Sequence, residues 1–341
     1  MSRKVEDLAK LSEEELLEIK IRDLPLSLPG TWLDDCIQEL YAELDSKGIK
    51  LKPPCYLADE WLIPDGEPVV GIPFFLAHSA LMKLEKKMML DVEGGTKDWC
   101  LKLLRHETGH AINYAYKLYK SKKWHKIFGP FHKEYRETYR FRPYSKSFVR
   151  HLEDYYAQYH PDEDFAETFA VWLTPDLDWR VQYKGWKAID KLDYVDQLMN
   201  KIKDKEPLVK KGKKYWEARR MNVSLKNFYK KKKYFYAEDF PDFHDSNLNR
   251  IFSPIVEGEK NLTSAAEIIK KYRKDILSNV SIWTGEKRYL IDGLLDNIAS
   301  RCRQLKLAVS DSQESALIKI SVYATTLIMN YLYTGKFRKK K

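Results

Sequence analysis

Thr96 to Lys120 runs TKDWCLKLLRHETGHAINYAYKLYK. After the Gly94-Gly95 break, its apolar spacing predicts one long helix. At the centre stands Arg105-His106-Glu107-Thr108-Gly109-His110, the pattern H-E-x-x-H. Histidines at i and i+4 lie one turn apart on one helix face, so both imidazoles can reach one metal ion. Glu107 projects beside them and is placed to take a proton from a metal-bound water. A helix with one packed and one solvated histidine has the same spelling, so the rest of a site must come from elsewhere in the chain. Arg105, next to the motif, reads either as a partner for an acid of a second helix or, more plainly, as solvated.

A catalytic zinc site takes three protein ligands and keeps a position open for water. The helix itself offers no third ligand. Asn113 and Tyr116 stand where an extended H-E-x-x-H-x-x-G-x-x-H motif needs Gly and His. Residues 159–170, YHPDEDFAETFA, are the other source. Pro161 suits the first turn of a helix, and Phe165, Phe169 and Trp172 carry the pattern on to Leu173, before Pro175. Glu163 and Glu167 are four apart and share a face. Glu163, Glu167, Asp164 and His160 are the candidate third ligands. Glu167 or Asp164 could also hold a ligand histidine in orientation by accepting its ring N–H.

His106-Glu107-x-x-His110 followed by Glu163-Asp164-Phe165-Ala166-Glu167-Thr168-Phe169-Ala170 resembles the gluzincin zinc metallopeptidases. The E-x-F-A-E-x-F element is also similar to the catalytic domain of lethal-factor-type toxins. The resemblance covers roughly residues 30–205. It implies that Glu163, first of the E-x-x-x-E pair, binds zinc and that Glu167 supports it. It also implies a tyrosine near the metal seven residues before the ligand Glu, a spacing that Tyr156 occupies. Tyr155 and Tyr159 compete for that place.

These residues predict a zinc peptidase acting on peptide or protein substrates. His106, His110 and Glu163 would give tetrahedral Zn2+ with one water of pKa about 7. Glu107 would act as general base on the zinc-bound water and pass the proton to the leaving amine. Zinc and Tyr156 would stabilise the oxyanion. The apolar run Val69–Leu76 reads either as an edge strand that pairs with an extended peptide or as an internal strand.

Outward from this centre, 44% apolar and 32% charged residues allow a folded chain of about two domains and exclude a disordered chain or a coiled-coil rod. The expected class is α+β: a zincin-like peptidase domain over 1–205, with a small mixed sheet and active-site helices. Short strands are predicted at Cys55–Leu57 and Val69–Leu76, joined by a hairpin-like connection. Helices are predicted near 1–20 (capping box Ser12 to Glu15), 32–46, 79–90 and 186–203. Residues 206–260 read as a basic aromatic linker with a loop at 241–254. Residues 261–335 read as a three-helix bundle (264–278, 286–308, 312–334), and 336–341 as a basic tail.

The net charge of +10 is concentrated. Lys201 to Lys233 holds 14 Lys or Arg against three acids, and the last six residues add five cations, so the remainder is net acidic. The segment reads as a solvated linker or as an electrostatic contact for a polyanion or nucleic acid, with aromatics interleaved for base stacking. A second function class follows: a nucleic-acid-associated or partner-binding protein that works through 201–233. Ala316 to Tyr333 contains a lysine and several polar residues, so a buried helix is expected rather than a membrane span. The opening residues lack the apolar core of a signal peptide. Four scattered cysteines suit buried apolar roles and a reducing cytoplasm. His78, His125, His132, His151 and His244 lack metal spacing and are expected to be structural or exposed.

Overall fold

The computed structural model describes residues 8–135, 142, 144–152, 155–234, 244–255, 263–310 and 312–334. The expected tail 336–341 and the aromatics Phe235 and Tyr236 lie outside them. The chain divides into two compact units. The first runs to residue 86, resumes at 92 and ends at 228; the second holds 87–91 and the described residues from 229 onward.

The α+β expectation is corrected. The protein is 61% helical and 5% strand, with two two-stranded sheets among the described residues. In the first unit β1 (Cys55–Ala58) pairs in parallel with β2 (Val70–Pro73) over four residues each. Proline explains the brevity. Pro53 and Pro54 precede β1, and Pro73 ends β2, where the chain turns into a short 3-10 helix over Phe74–Ala77. The hairpin-like contact exists only as an antiparallel bridge of Leu62 to Gly71. β2 is therefore flanked by β1 on one side and Leu62 on the other, and it is buried along its length. The edge strand expected to receive a peptide is not open there.

Five longer helices lie wholly or mostly in the first unit: α1 (Trp32–Ser46), α2 (Ser79–Met89), α3 (Lys97–Ala115), α4 (Pro161–Leu173) and α5 (Ile189–Ile202). Their starts follow ordinary capping chemistry. The Thr96 side chain accepts the Trp99 N–H ahead of α3, and His160 accepts the Asp162 N–H ahead of α4, with Pro161 in its first turn. The Ser12–Glu15 capping box forms ahead of a short helix, Glu13–Glu18. α3 and α4 make the centre of the unit, and every residue of α4 is buried. Phe165 and Phe169 are fully enclosed, each contributing about 1.5–3 kcal/mol by burial. The two helices cross at Gly109. A Cβ there would lie 2.7 Å from the Ala166 Cα, so only glycine permits this approach.

The second unit contains α6 (Ala265–Lys271), α7 (Arg273–Thr284), α8 (Arg288–Gln304) and α9 (Gln313–Thr334) around an aliphatic core of Ile269, Ile276, Leu295, Ile298, Ile320 and Ile328. The expected helix 264–278 is two helices with a break at Tyr272, so the bundle has four helices rather than three. A helix at Asp245–Ile251 and a short strand, β3 (Ser253–Pro254), occupy ground expected to be loop, and β3 pairs antiparallel with β4 (Leu307–Ala308), where the helix expected to reach 308 has already ended at Gln304. Among the described residues α9 is the one helix long and apolar enough to cross a membrane by length and composition. Its Ala316, Ile320, Ala324 and Ile328 are buried in the unit's core.

Candidate metal centre

His106 and His110 lie on α3 and Glu163 lies in the first turn of α4. The crossing at Gly109 brings them together. His106 Nε2 and His110 Nε2 are 3.2 Å apart, and each is 3.1 Å from Glu163 Oε2. These three atoms form a nearly equilateral triangle, with all three residues buried.

The outer ring nitrogens are already engaged. His106 Nδ1 donates to Glu167 Oε1 at 2.8 Å, and His110 Nδ1 donates to Asp162 Oδ2 at 2.9 Å. A carboxylate only accepts, so each ring carries its proton on Nδ1. With both rings neutral, the Nε2 lone pairs converge with an anionic carboxylate oxygen. Three acceptors facing one point repel each other unless a cation lies between them. The group could therefore hold a metal ion, and its surroundings favour positive charge. Burial alone would lower the His106 pKa, but hydrogen bonds to Glu163 and Glu167 outweigh it and hold it at about 9. His110 moves the same way, burial being overcome by the charges of Asp162 and Glu163. Glu163 stays far below the usual carboxylate range: burial opposes this, but the charges and hydrogen bonds of the two histidines prevail.

The supporting carboxylates are themselves held. Glu167 Oε2 accepts the Leu152 N–H at 3.0 Å. Asp162 takes three side chains of α3: His110, Asn113 through Nδ2 to Oδ1 at 2.6 Å, and the Tyr114 hydroxyl to Oδ2 at 2.7 Å. Tyr135 donates to Glu163 Oε1 at 3.1 Å and stacks on His160. Glu107 is buried, and desolvation raises its pKa.

The structure thus places His106, His110, Glu163, Glu167 and Glu107 together. The Tyr156 ring lies 5.5 Å from the His106 ring, centroid to centroid. Asp164 goes elsewhere. Its Oδ2 accepts from Lys191 Nζ of α5 at 2.6 Å, so it orients no ligand histidine. Successive residues of a helix point about 100° apart, which puts Asp164 on a different face from Glu163. His160 caps α4 and reaches the Lys133 carbonyl, away from the triangle. Arg105 is not solvated but forms a buried bidentate pair with Glu43 of α1, at 2.8 and 2.6 Å. His78 accepts the Ala80 N–H, His151 meets the Lys102 carbonyl and His244 meets the Tyr323 hydroxyl. The four cysteines are free thiols, Cys36, Cys100 and Cys302 buried and Cys55 partly so.

Asp162, Tyr135 and the Gly109 contact escape the sequence reading. A usable signal for Asp162 is present all the same. Asn113 and Tyr114 are polar residues three and four places after His110, on the same face of a helix that is otherwise apolar there, and such groups need a buried partner. Set beside known proteins, the chain matches no family model, no curated protein and no solved structure.

Proposed function

We propose that the protein is a zinc-dependent peptidase. The carrying observation is the triangle of His106 Nε2, His110 Nε2 and Glu163 Oε2, with edges of 3.1–3.2 Å. Tetrahedral zinc with bonds of about 2.0–2.1 Å requires ligand atoms roughly 3.3 Å apart, and two imidazoles with one carboxylate are a usual catalytic zinc set. When bound, zinc supplies a Lewis acid and lowers the pKa of water.

The residues of the chain do the remaining work. Glu167 and Asp162 fix the tautomer of the two imidazoles and keep Nε2 free to ligate. Tyr135 occupies the second oxygen of Glu163, which favours binding through one oxygen. Glu107, held in buried surroundings that raise its proton affinity, accepts a proton from the attacking water and returns it to the leaving amine. Tyr156, whose ring neighbours His106, is the donor for the carbonyl oxygen as it gains charge.

The test is metal analysis of the purified protein beside a peptide-library digest. Glu107→Gln should retain one equivalent of zinc and lose cleavage by about 10²–10⁴-fold. Undiminished turnover by Glu107→Gln, or a zinc-loaded wild type that cleaves nothing in the library, refutes the proposal.

A further inference from the structure

The segment after α5 takes the basic chain across the surface of the first unit. From residue 205 to 215 it has no regular secondary structure, yet it is pinned at several points. The Leu208 and Val209 N–H groups donate to the Ala115 carbonyl, each at 3.0 Å. The Lys213 N–H donates to Glu67 Oε2, and the Tyr56 hydroxyl bridges the Tyr215 N–H and carbonyl. Gly212 lies so close to Val69 that a Cβ would be 2.9 Å from the Val69 Cγ1. A free linker would make none of these bonds.

The pinned chain presents two kinds of group to solvent. Lys211 and Lys213 are exposed and, among the described residues, have no ion-pair partner. Lys214 stands over the Tyr56 ring. Arg219 and Arg220 follow at the surface, above the buried Glu217 that they neutralise. Between these cations stand two aromatic rings. Tyr215 is 43% exposed and Trp216 62%, with ring centroids 5.9 Å apart. Trp216 has φ +48°, a left-handed backbone that bulky residues rarely adopt, and there its indole faces water. Burial does not account for it.

We propose that residues 208–216, with Arg219 and Arg220, form a binding surface for single-stranded nucleic acid. The lysines suit the phosphates, and the two rings suit unpaired bases, whose faces a duplex conceals. Pinning the chain in advance lowers the ordering cost of binding. The surface does not depend on the peptidase reading, and it should work equally in the Glu107→Gln protein.

The test uses the full chain and a labelled oligothymidylate of about fifteen nucleotides, followed by anisotropy. Binding should weaken with salt on a log–log slope of about −2, as three phosphate contacts on a single strand require. A duplex of equal length should bind at least about tenfold more weakly, since its bases offer no face to stack on. Trp216→Ala should cost roughly tenfold, and Lys211→Glu with Lys213→Glu should remove most of the remainder, with metal content unchanged in both. The proposal fails if the oligonucleotide does not bind at about 50 mM salt, if the duplex binds as well, or if Trp216→Ala leaves affinity unaltered. It also fails if Trp216 instead governs flotation with anionic phospholipid vesicles while the oligonucleotide stays free.

Discussion

The centre of the first unit and the core of the second are both built from helices packed on helices, and they enclose opposite materials. Around the α3–α4 crossing, Glu107, Asp162, Glu163, Asp164 and Glu167 are buried with two histidines. Nearby Glu43 and Arg105 are buried as a pair. The bundle of α6 to α9 encloses Ile269, Ile276, Leu295, Ile298 and Ile320 and keeps its main ion pairs, Arg273 with Asp292 and Arg301 with Asp245, partly exposed. Buried charge is weak support for stability and collapses when a partner is removed. Aliphatic burial is steady and indifferent to ions. The contrast therefore separates a unit whose centre is ionic from one whose centre is aliphatic.

Removing one member from each core tests that contrast most severely. Glu163→Ala should abolish stoichiometric metal and destabilise the first unit by about 3–5 kcal/mol, because two imidazoles and their carboxylates lose a common partner. Leu295→Ala should cost about 2–5 kcal/mol in the bundle and leave metal affinity untouched. Equilibrium unfolding with metal titration reads both. A metal affinity that responded to Leu295→Ala would erase the distinction.

A smaller effect is expected at the crossing. Gly109→Ala in an ordinary helix interior gains about 0.5–1 kcal/mol. Here the added methyl meets the backbone of Ala166, so a net loss of about 1–3 kcal/mol and weaker metal binding are expected. Calorimetry on the variant, with and without added zinc, decides the sign.

An effect of similar size is a pH dependence of the metal-free protein. His106 is raised in the folded state to about 9 from an ordinary 6.5. A raised pKa adds stability that is complete below the unfolded value and is lost as pH climbs through the folded one. Metal-free protein should therefore weaken between about pH 6.5 and 9, by up to about 3 kcal/mol, or about 7–14 °C in melting temperature. Metal-loaded protein should be flatter over that interval, since the ion replaces the proton. Thermal scans across the range in chelator and in zinc check this.

The helices and the trio of His106, His110 and Glu163 are legible in the residues because both rest on local periodicity. Histidines four apart, and acids in a turn opened by proline, need no knowledge of the rest of the chain. What is not legible depends on distant encounters. Which acids hold the outer ring nitrogens is set by how α3 and α4 cross: Glu167 and Asp164 are the guesses, and Glu167 and Asp162 are the partners. Arg105 finds Glu43 from 62 residues away. The strands are overestimated because Val69–Leu76 is apolar and β-branched in part, while Pro73 cuts it after four paired residues. The basic segment reads as linker by composition. Its hydrogen bonds to Ala115, Glu67 and Tyr56 are made by backbone, which leaves no trace in residue identity.

Asp162 collects His110, Asn113 and Tyr114, three side chains from consecutive turns of one helix. One carboxylate thereby locks the axial rotation of its neighbour, as a key seats in a shaft. The same geometry leaves a two-word fingerprint, H-E-x-G-H-x-x-N-Y and H-P-D-E, set about fifty positions apart, by which other polypeptides with this lock can be found even where overall similarity has faded.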